Sequence, residues 1–188
     1  MSRTSVAEPS SSCARTEILR PSSGVTSLTE FVLSQLPSAP GRVLEVGCGS
    51  GDLALAMADA GYDIVAIDPG APEGGIFRRT TIEAFVEPGP FDAVVASLSL
   101  HHVHDLPGAL DKLVRLLRGP LVVNEFAWER LEPMTREWAK EHEGLHTYEV
   151  MRPELDARFE ERFFEWRPYP AGGRDVPGLG FRYVGVPG

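Results

Sequence analysis

Short apolar runs alternate with amphipathic stretches along most of the chain. The runs at 43–46, 63–68, 91–97 and 121–126 are almost continuously apolar, which is typical of strands buried on both faces of a sheet. Residues 106–117 instead place apolar side chains three and four positions apart, which predicts an amphipathic helix. Strands that alternate with helices in this way favour an α/β fold with a parallel sheet and right-handed crossovers.

Capping residues predict where further helices begin and end. Ser27 and Glu30 have the spacing of a capping box, so a helix is expected to open there and to end before Pro37. A second helix is predicted over 52–60, with Gly61 after its C-terminus. A short third strand is expected over 76–79, between the strands at 63–68 and 91–97.

The sequence pattern changes after residue 127. Residues 128–160 are charged and helical in period, whereas 161–169 and 181–186 alternate like strands around a link rich in Gly and Pro. We expect these two strands to form an antiparallel hairpin at the sheet edge. The predicted fold is therefore a Rossmann-like, doubly wound, mostly parallel sheet with helices on both faces and a C-terminal antiparallel edge hairpin.

Composition narrows the classes of function. The 188 residues suit one domain, expected over 25–188, and the Ser- and Pro-rich residues 1–24 are expected to be a disordered tail. The net charge of −9 argues against nucleic acid or anionic lipid as a partner. No apolar run approaches the roughly 20 residues of a membrane span. The two cysteines, Cys13 and Cys48, provide no disulfide framework and favour a reducing cytoplasm.

A glycine-rich turn carries the strongest chemical signal. The sequence E-V-G-C-G-S-G begins at Glu45, between a predicted strand and helix, and lets the backbone approach a ligand closely. Asp68 ends the next strand, where a carboxylate can accept hydrogen bonds from the hydroxyls of a ribose. A dinucleotide fingerprint read from Gly47 would place Asp52 beside a diphosphate, which is unfavourable. An NAD(P)-linked oxidoreductase is therefore less favoured.

These residues, together with the stretch FDAVVASLSLHHVHDLPGALDKLVRLLRG at 91–119, resemble the class I, type-11-like S-adenosylmethionine-dependent methyltransferases. The resemblance covers about 27–126, and implies a cofactor-binding half over 25–126 with acceptor-side helices and closing strands over 127–188. It implies S-adenosylmethionine as cofactor and S-adenosylhomocysteine as product. The cofactor-binding residues that it implies are Glu45, Gly47, Cys48, Gly49, Gly51, Asp68, Pro69, Ile82, Glu83, Ser97 and Leu98.

Histidines cluster after the fourth predicted strand. His101 and His102 are candidates for an acceptor-side base or for positioning the acceptor, and the alternative is that either one is structural. A second group, H-E-x-x-H from His142 to His146, has the spacing of a zinc site but no obvious third ligand, so no metal is predicted. The position of that segment instead suggests that it lines the acceptor side, together with Trp138 and Tyr148.

The predicted activity is methyl transfer to a small-molecule acceptor by in-line displacement. The region after the fifth strand is short for an acceptor-binding lid, and the position of Thr81 often holds an Asp in the family. These departures keep open a second hypothesis, a non-catalytic module that binds the cofactor or only a partner protein. The acceptor, the attacked atom and the oligomeric state are not predicted.

Overall fold

A computed structural model of the chain describes residues 27–131, 144–171 and 173–188. The described residues form four α-helices and seven strands in one sheet. The strands are β1 (Arg42–Val46), β2 (Asp63–Ile67), β3 (Phe77–Arg78), β4 (Ala93–Ser97), β5 (Leu121–Phe126), β6 (Phe159–Ala171) and β7 (Arg174–Pro187). The helices are α1 (Leu28–Gln35), α2 (Asp52–Asp59), α3 (Leu106–Leu116) and α4 (Tyr148–Asp156), with 3₁₀ turns at Leu100–His102 and Trp128–Arg130.

The strand order is β3-β2-β1-β4-β5-β7-β6. The first five strands are parallel, and β1 pairs with both β2 and β4, so the order reverses direction at the β1–β4 boundary. β7 pairs antiparallel with β5, and β6 then forms the outer edge. The predicted doubly wound sheet with a C-terminal antiparallel edge hairpin is confirmed.

Apolar side chains cover both faces of the sheet. Along β1, Val43 packs into one core cluster while Leu44 and Val46 pack into the other. The first cluster also receives α1 and α2, and the second receives α3 and α4. Because β1, β2, β4 and β5 are buried on both faces, their sequences are mostly continuous apolar runs rather than alternating ones.

Local signals set the helix ends close to where they were predicted. The Ser27 side chain accepts from the Glu30 N–H at 3.1 Å, and the Glu30 carboxylate accepts from the Ser27 N–H at 3.0 Å. Gly61 follows the end of α2 with a φ of +95°, the left-handed conformation expected for a residue after a helix. Both interpretations of the capping residues are therefore confirmed.

The hairpin is longer than its sequence pattern predicted. β6 and β7 reach 13 and 14 residues, and pairing extends as far as Ala171 and Arg174. The supposed Gly/Pro-rich link is therefore mostly strand. Residues 174–179 of β7 extend beyond β5, and Pro177 lies at a register irregularity of the pairing with β6, where a residue that donates no ladder hydrogen bond is tolerated. Phe163 contacts Phe31 on one face, while Phe164 and Trp166 contact each other on the opposite face, as their alternation predicted.

The predicted tail over 1–24 and the segment 132–143 lie outside the described residues. The prediction of a disordered tail therefore stays a prediction, as does the division into 25–126 and 127–188. Within the described part of the chain, no helix has the length and apolar character needed to cross a membrane.

We expect Leu110→Ala to lower the free energy of unfolding by about 2–5 kcal/mol, because it leaves a cavity between α3 and the sheet. Leu110 is fully buried, whereas Leu55 on α2 is 50% exposed and provides a matched control. Urea denaturation of both variants measures the difference. Equal losses in Leu110→Ala and Leu55→Ala would contradict the described packing of α3.

Candidate active site

A cavity of about 550 Å³ opens at the carboxyl ends of β1, β2 and β4. Its volume lies in the usual range for a small-ligand site, and the reversal of strand order at β1 and β4 is where open α/β sheets bind ligands. The lining residues are Val46, Gly47, Ile67, Asp68, Pro69, Thr80, Thr81, Ile82, Glu83, Leu98, Ser99, His102, Val103 and His104.

The turn after β1 needs glycine for a steric reason. Gly47 has a φ of +77°, and a Cβ atom there would lie 2.2 Å from the Cβ of Ser99. The N–H groups of Gly47 and Cys48 both donate to the carbonyl of Ile67, at 2.8 and 3.1 Å. The turn is thereby fixed against β2 and against the segment after β4, and its backbone forms one wall of the cavity.

Asp68 forms the wall opposite this turn, at the end of β2. Its Oδ2 accepts from the Gly49 N–H at 3.1 Å, and its Oδ1 accepts from the Gly70 N–H at 2.7 Å. Each carboxylate oxygen has a second lone pair, so both can also accept from a ligand. The backbone therefore orients the carboxylate without using its full capacity for hydrogen bonds.

Glu45 lies beneath the same turn and is only 2% exposed. Its Oε2 atom is buried and has no hydrogen-bond partner among the described residues. Burial, with a smaller contribution from the Asp68 charge, raises the pKa of Glu45 to about 7. Burial and the neighbouring Glu45 and Asp68 carboxylates also raise the pKa of the Cys48 thiol to about 12, which makes it a poor nucleophile.

The loop after β3 closes the cavity on the side of β2. Ile82 is buried, and Glu83 accepts from the His104 N–H at 3.0 Å. Burial raises the pKa of Glu83, but hydrogen bonds from backbone N–H groups and from Thr81 outweigh it and lower the pKa overall. Lys112 of α3 donates to the carbonyls of Ile82 and Glu83, at 2.8 and 3.0 Å, so the loop is held from below.

The residues at the end of β4 form the floor of the cavity. The Leu98 N–H donates to the carbonyl of Asn124 at 2.8 Å, and the Asn124 side chain donates to Ser97 Oγ at 3.2 Å. Leu98 has a φ of +51°, a conformation that costs energy for a side chain of its size and that concentrates at functional sites. Its side chain is 38% exposed and lines the cavity.

The two candidate histidines occupy different environments. His101 is only 3% exposed, and its Nδ1 lies 2.7 Å from Oε2 of Glu125, a fully buried carboxylate of β5. His102 is exposed and lines the cavity, with its ring 4.1 Å from that of His101 between centroids. Only His102 of this pair is therefore in a position to contact a ligand.

The structure brings many of the predicted site residues together. Gly47, Asp68, Pro69, Ile82, Glu83, Leu98 and His102 line the cavity. Glu45, Cys48, Gly49, Gly51, Ser97 and His101 do not line it, although each lies in or beside an element that does. Their predicted roles in cofactor binding stay predictions.

Sequence reasoning missed Glu125 and several lining residues, among them Thr80, Ser99 and Val103. Glu125 had one signal: it is the only charged residue in the strand sequence LVVNEF, as Glu45 is in the apolar run 43–46. An acid within a buried strand must be paired or must border a site. The lining residues after β4 had no such signal, because only the path of the chain turns them toward the cavity.

His146 contacts the segment after β4. Its N–H donates to the carbonyl of His101 at 3.0 Å, and its Nε2 lies 2.8 Å from the carbonyl of Val103. Trp138, His142 and Glu143 lie outside the described residues. Across the described residues, no cluster of three or more His, Cys, Asp or Glu side chains is placed to hold a metal ion.

A family model described as a methyltransferase domain matches residues 22–166, which include the glycine turn, Asp68 and the whole cavity. The chain belongs to this family. The methyltransferase fold that the resemblance implied is therefore confirmed, with the glycine turn and the cavity at the expected edge of the sheet.

Curated relatives match this methyltransferase domain over about half of each chain. A ubiquinone biosynthesis O-methyltransferase of Xylella fastidiosa is 34% identical over 105 residues, which cover 47% of this chain and 42% of the relative. A demethylmenaquinone methyltransferase of Renibacterium salmoninarum is 34% identical over 116 residues, which cover 55% of this chain and 49% of the relative. The chain thus spans less than half of the length of these two relatives.

The fold is shared with solved methyltransferases. The N-methyltransferase NodS of Bradyrhizobium japonicum, solved in complex with S-adenosylhomocysteine, superposes with a TM-score of 0.62 at 18% identity. The match covers 85% of this chain and 84% of NodS. At this identity the likeness concerns the fold alone.

We expect Glu45→Gln to stabilise the folded chain more at pH 8 than at pH 5. The folded-state pKa of about 7 lies above the unfolded value of 4.5, so stability falls as the pH rises from 4.5 to 7 and the penalty persists above that. The penalty is at most roughly 3–4 kcal/mol, from the shift from 4.5 to about 7 at about 1.4 kcal/mol per pKa unit. Thermal unfolding of both proteins at the two pH values measures it.

The exposed Glu73, whose side chain is 83% accessible, provides the control. Glu73→Gln should change stability little, because solvent screens a charge this exposed. A constant difference between Glu45→Gln and the unmodified chain would show that Glu45 ionises at its ordinary pKa.

Proposed function

We propose that the chain is an S-adenosylmethionine-dependent methyltransferase that moves a methyl group to a small-molecule acceptor by in-line displacement. The observation that carries the proposal is the cavity between the Gly47 turn and the Asp68 carboxylate. Its described lining contains two carboxylates, Asp68 and Glu83, but no Lys or Arg. Such a lining suits a nucleoside on a cationic sulfur, whereas a diphosphate would need cationic or N–H partners.

The residues fit the two ends of this cofactor. Asp68 has further lone pairs for ribose hydroxyls. The buried Oε2 of Glu45, which has no partner within the described part of the chain, is an acceptor beneath the turn that would hold the ammonium end. We assign Gly47, Cys48, Gly49 and Gly51 to the methionine and ribose side, and Pro69, Ile82 and Glu83 to the adenine. Ser97 and Leu98 would face the methyl group.

When bound, S-adenosylmethionine supplies a methyl carbon made electrophilic by the positive sulfur, and leaves as S-adenosylhomocysteine. The protein contributes alignment of the acceptor and exclusion of water, which together contribute several kcal/mol. Leu98 and His102 line the cavity, and we assign them to its acceptor side. His102 would orient the acceptor or accept its proton, and the buried His101 would support it.

A small organic acceptor is favoured over nucleic acid by the net charge of −9. The names of the two curated relatives, which concern ubiquinone and menaquinone, are also consistent with a small molecule. The cytoplasmic location indicated by the cysteine content stays a prediction. The alternative of a non-catalytic binding module rests on the short region after β5.

Calorimetry with S-adenosylmethionine, followed by a screen of phenols and amines with a labelled methyl donor, separates these hypotheses. Cofactor binding with label transfer supports the enzyme. Binding without transfer to any acceptor supports the module, and NADH binding by fluorescence would support an oxidoreductase. Absence of S-adenosylmethionine binding would overturn the proposed function.

We expect Asp68→Ala to weaken S-adenosylmethionine binding at least tenfold, because it removes the acceptors of the ribose hydroxyls, at about 1.4 kcal/mol per decade. Asp63 begins the same strand at its other end and is 76% exposed, so Asp63→Ala is the matched control. Calorimetric titration of both variants measures the affinities. An unchanged affinity in Asp68→Ala would mean that the assignment to the ribose is wrong.

A further inference from the structure

The buried carboxylate of Glu125 makes three contacts with one short segment of chain. Its Oε1 accepts from the N–H groups of Ser99 and Leu100, at 2.7 and 2.8 Å, and its Oε2 lies 2.7 Å from Nδ1 of His101. Glu125 is only 1% exposed. A carboxylate this deeply buried is tolerated because its oxygens have partners, so removing it would leave three buried donors unpaired.

The preceding residue of β5 extends these contacts. The carbonyl of Asn124 accepts from the Leu98 N–H at 2.8 Å, and its side chain donates to Ser97 Oγ at 3.2 Å. Two consecutive residues of β5 therefore hold the last residue of β4 and the four residues after it, from 97 to 101. The positive φ of Leu98 is stabilised inside this set of hydrogen bonds, not by local sequence preference.

The held segment leads directly into the cavity wall. Leu98 and Ser99 line the cavity themselves, and His102 lines it one residue after His101. Ser99 also lies against the backbone of Gly47, where there is no space for a Cβ atom. A shift of this segment would therefore move the floor of the cavity and the glycine turn together.

We propose that Glu125 is a positioning residue that sets the geometry of the cofactor and acceptor side of the cavity through Ser99, Leu100 and His101, without contacting either ligand. The inference rests on the proposed function. The Oε1 atom of Glu125 fixes the backbone that carries Leu98 and Ser99. Its Oε2 receives the Nδ1 proton of His101, which fixes the ring of His101 beneath that of His102.

Because Oε1 of Glu125 contacts the backbone and Oε2 contacts His101, substitutions can separate these two roles. In Glu125→Gln the amide oxygen can still accept from Ser99 and Leu100, but the amide nitrogen now donates to His101. That change requires the Nδ1 of His101 to become the acceptor, so the proton moves to Nε2. In Glu125→Ala neither the backbone donors nor the histidine keeps a partner.

The experiment compares S-adenosylhomocysteine affinity by calorimetry in the unmodified chain, Glu125→Gln, Glu125→Ala and Tyr183→Phe. Tyr183 is also fully buried in the sheet, and its hydroxyl donates to the carbonyl of Phe159, away from the cavity. Tyr183→Phe is therefore a control for a lost buried hydrogen bond. Nitrogen-15 NMR of the histidine ring reports which nitrogen of His101 carries the proton.

We expect Glu125→Ala to weaken S-adenosylhomocysteine binding by about tenfold or more, because a displaced cavity wall misplaces the groups that contact the ligand. Glu125→Gln should stay within about threefold of the unmodified chain, since its oxygen keeps the backbone contacts. Its His101 spectrum should show the proton moved to Nε2. Tyr183→Phe should lose stability but keep its affinity.

Equal affinities in Glu125→Ala and Tyr183→Phe would overturn the proposal, as would a Glu125→Gln variant as weak as Glu125→Ala with an unchanged His101 spectrum. If Glu125→Ala does not fold, Glu125→Gln and its spectrum decide the question alone.

The proposal can be separated from the proposed function by amide hydrogen exchange on the ligand-free protein. Should the unmodified chain bind no S-adenosylhomocysteine, the proposed function fails. Faster exchange at Ser99, Leu100 and Gly47 in Glu125→Ala, but not in Glu125→Gln or Tyr183→Phe, would still support positioning by Glu125. Unchanged exchange at those amides would overturn it.

Discussion

The parallel pairing of β1 with both β2 and β4 is the constraint on which the rest of the structure depends. Because β1 is central, the chain must leave it in one direction to build β2 and β3 and return in the other to build β4 and β5. Parallel neighbours require crossover helices, and these fall on opposite faces of the sheet. The carboxyl ends of β1, β2 and β4 diverge where the order reverses, and the cavity opens there.

Three carboxylates lie at this edge of the sheet, two of them buried and one half-buried, and they differ in how their charge is accommodated. Glu125 has three donors and serves as an anchor for the backbone after β4. Asp68 is oriented by two N–H groups but keeps capacity for a ligand. Glu45 has one oxygen without a partner among the described residues, which is costly unless a proton or a cation compensates it. The carboxylate on β5 therefore anchors the backbone, whereas the carboxylates on β1 and directly after β2 can still accept from a ligand.

The second half of the chain shows where pattern reasoning loses precision. The aromatic alternation of β6 correctly separated Phe163 from Phe164 and Trp166. The length of the hairpin was underestimated, because the Gly and Pro residues that suggested a link pair within β6 and β7 nearly to their connection. Pairing partners far along the chain stabilise these residues as strand, and a local pattern contains no information about such partners.

The sequence by itself determined the strand and helix order, the capping of α1, the glycine turn at Gly47 and the acid at Asp68. These features are local: each depends on a hydrophobic period, a capping residue or a short motif whose chemistry is complete within a few residues. Only the tertiary structure decided that His101 is buried against Glu125, that His102 lines the cavity, and that Ser99 closes on Gly47. The reason is that these contacts join residues 24 to 52 positions apart, and their geometry depends on how neighbouring strands pair and where the chain turns after them.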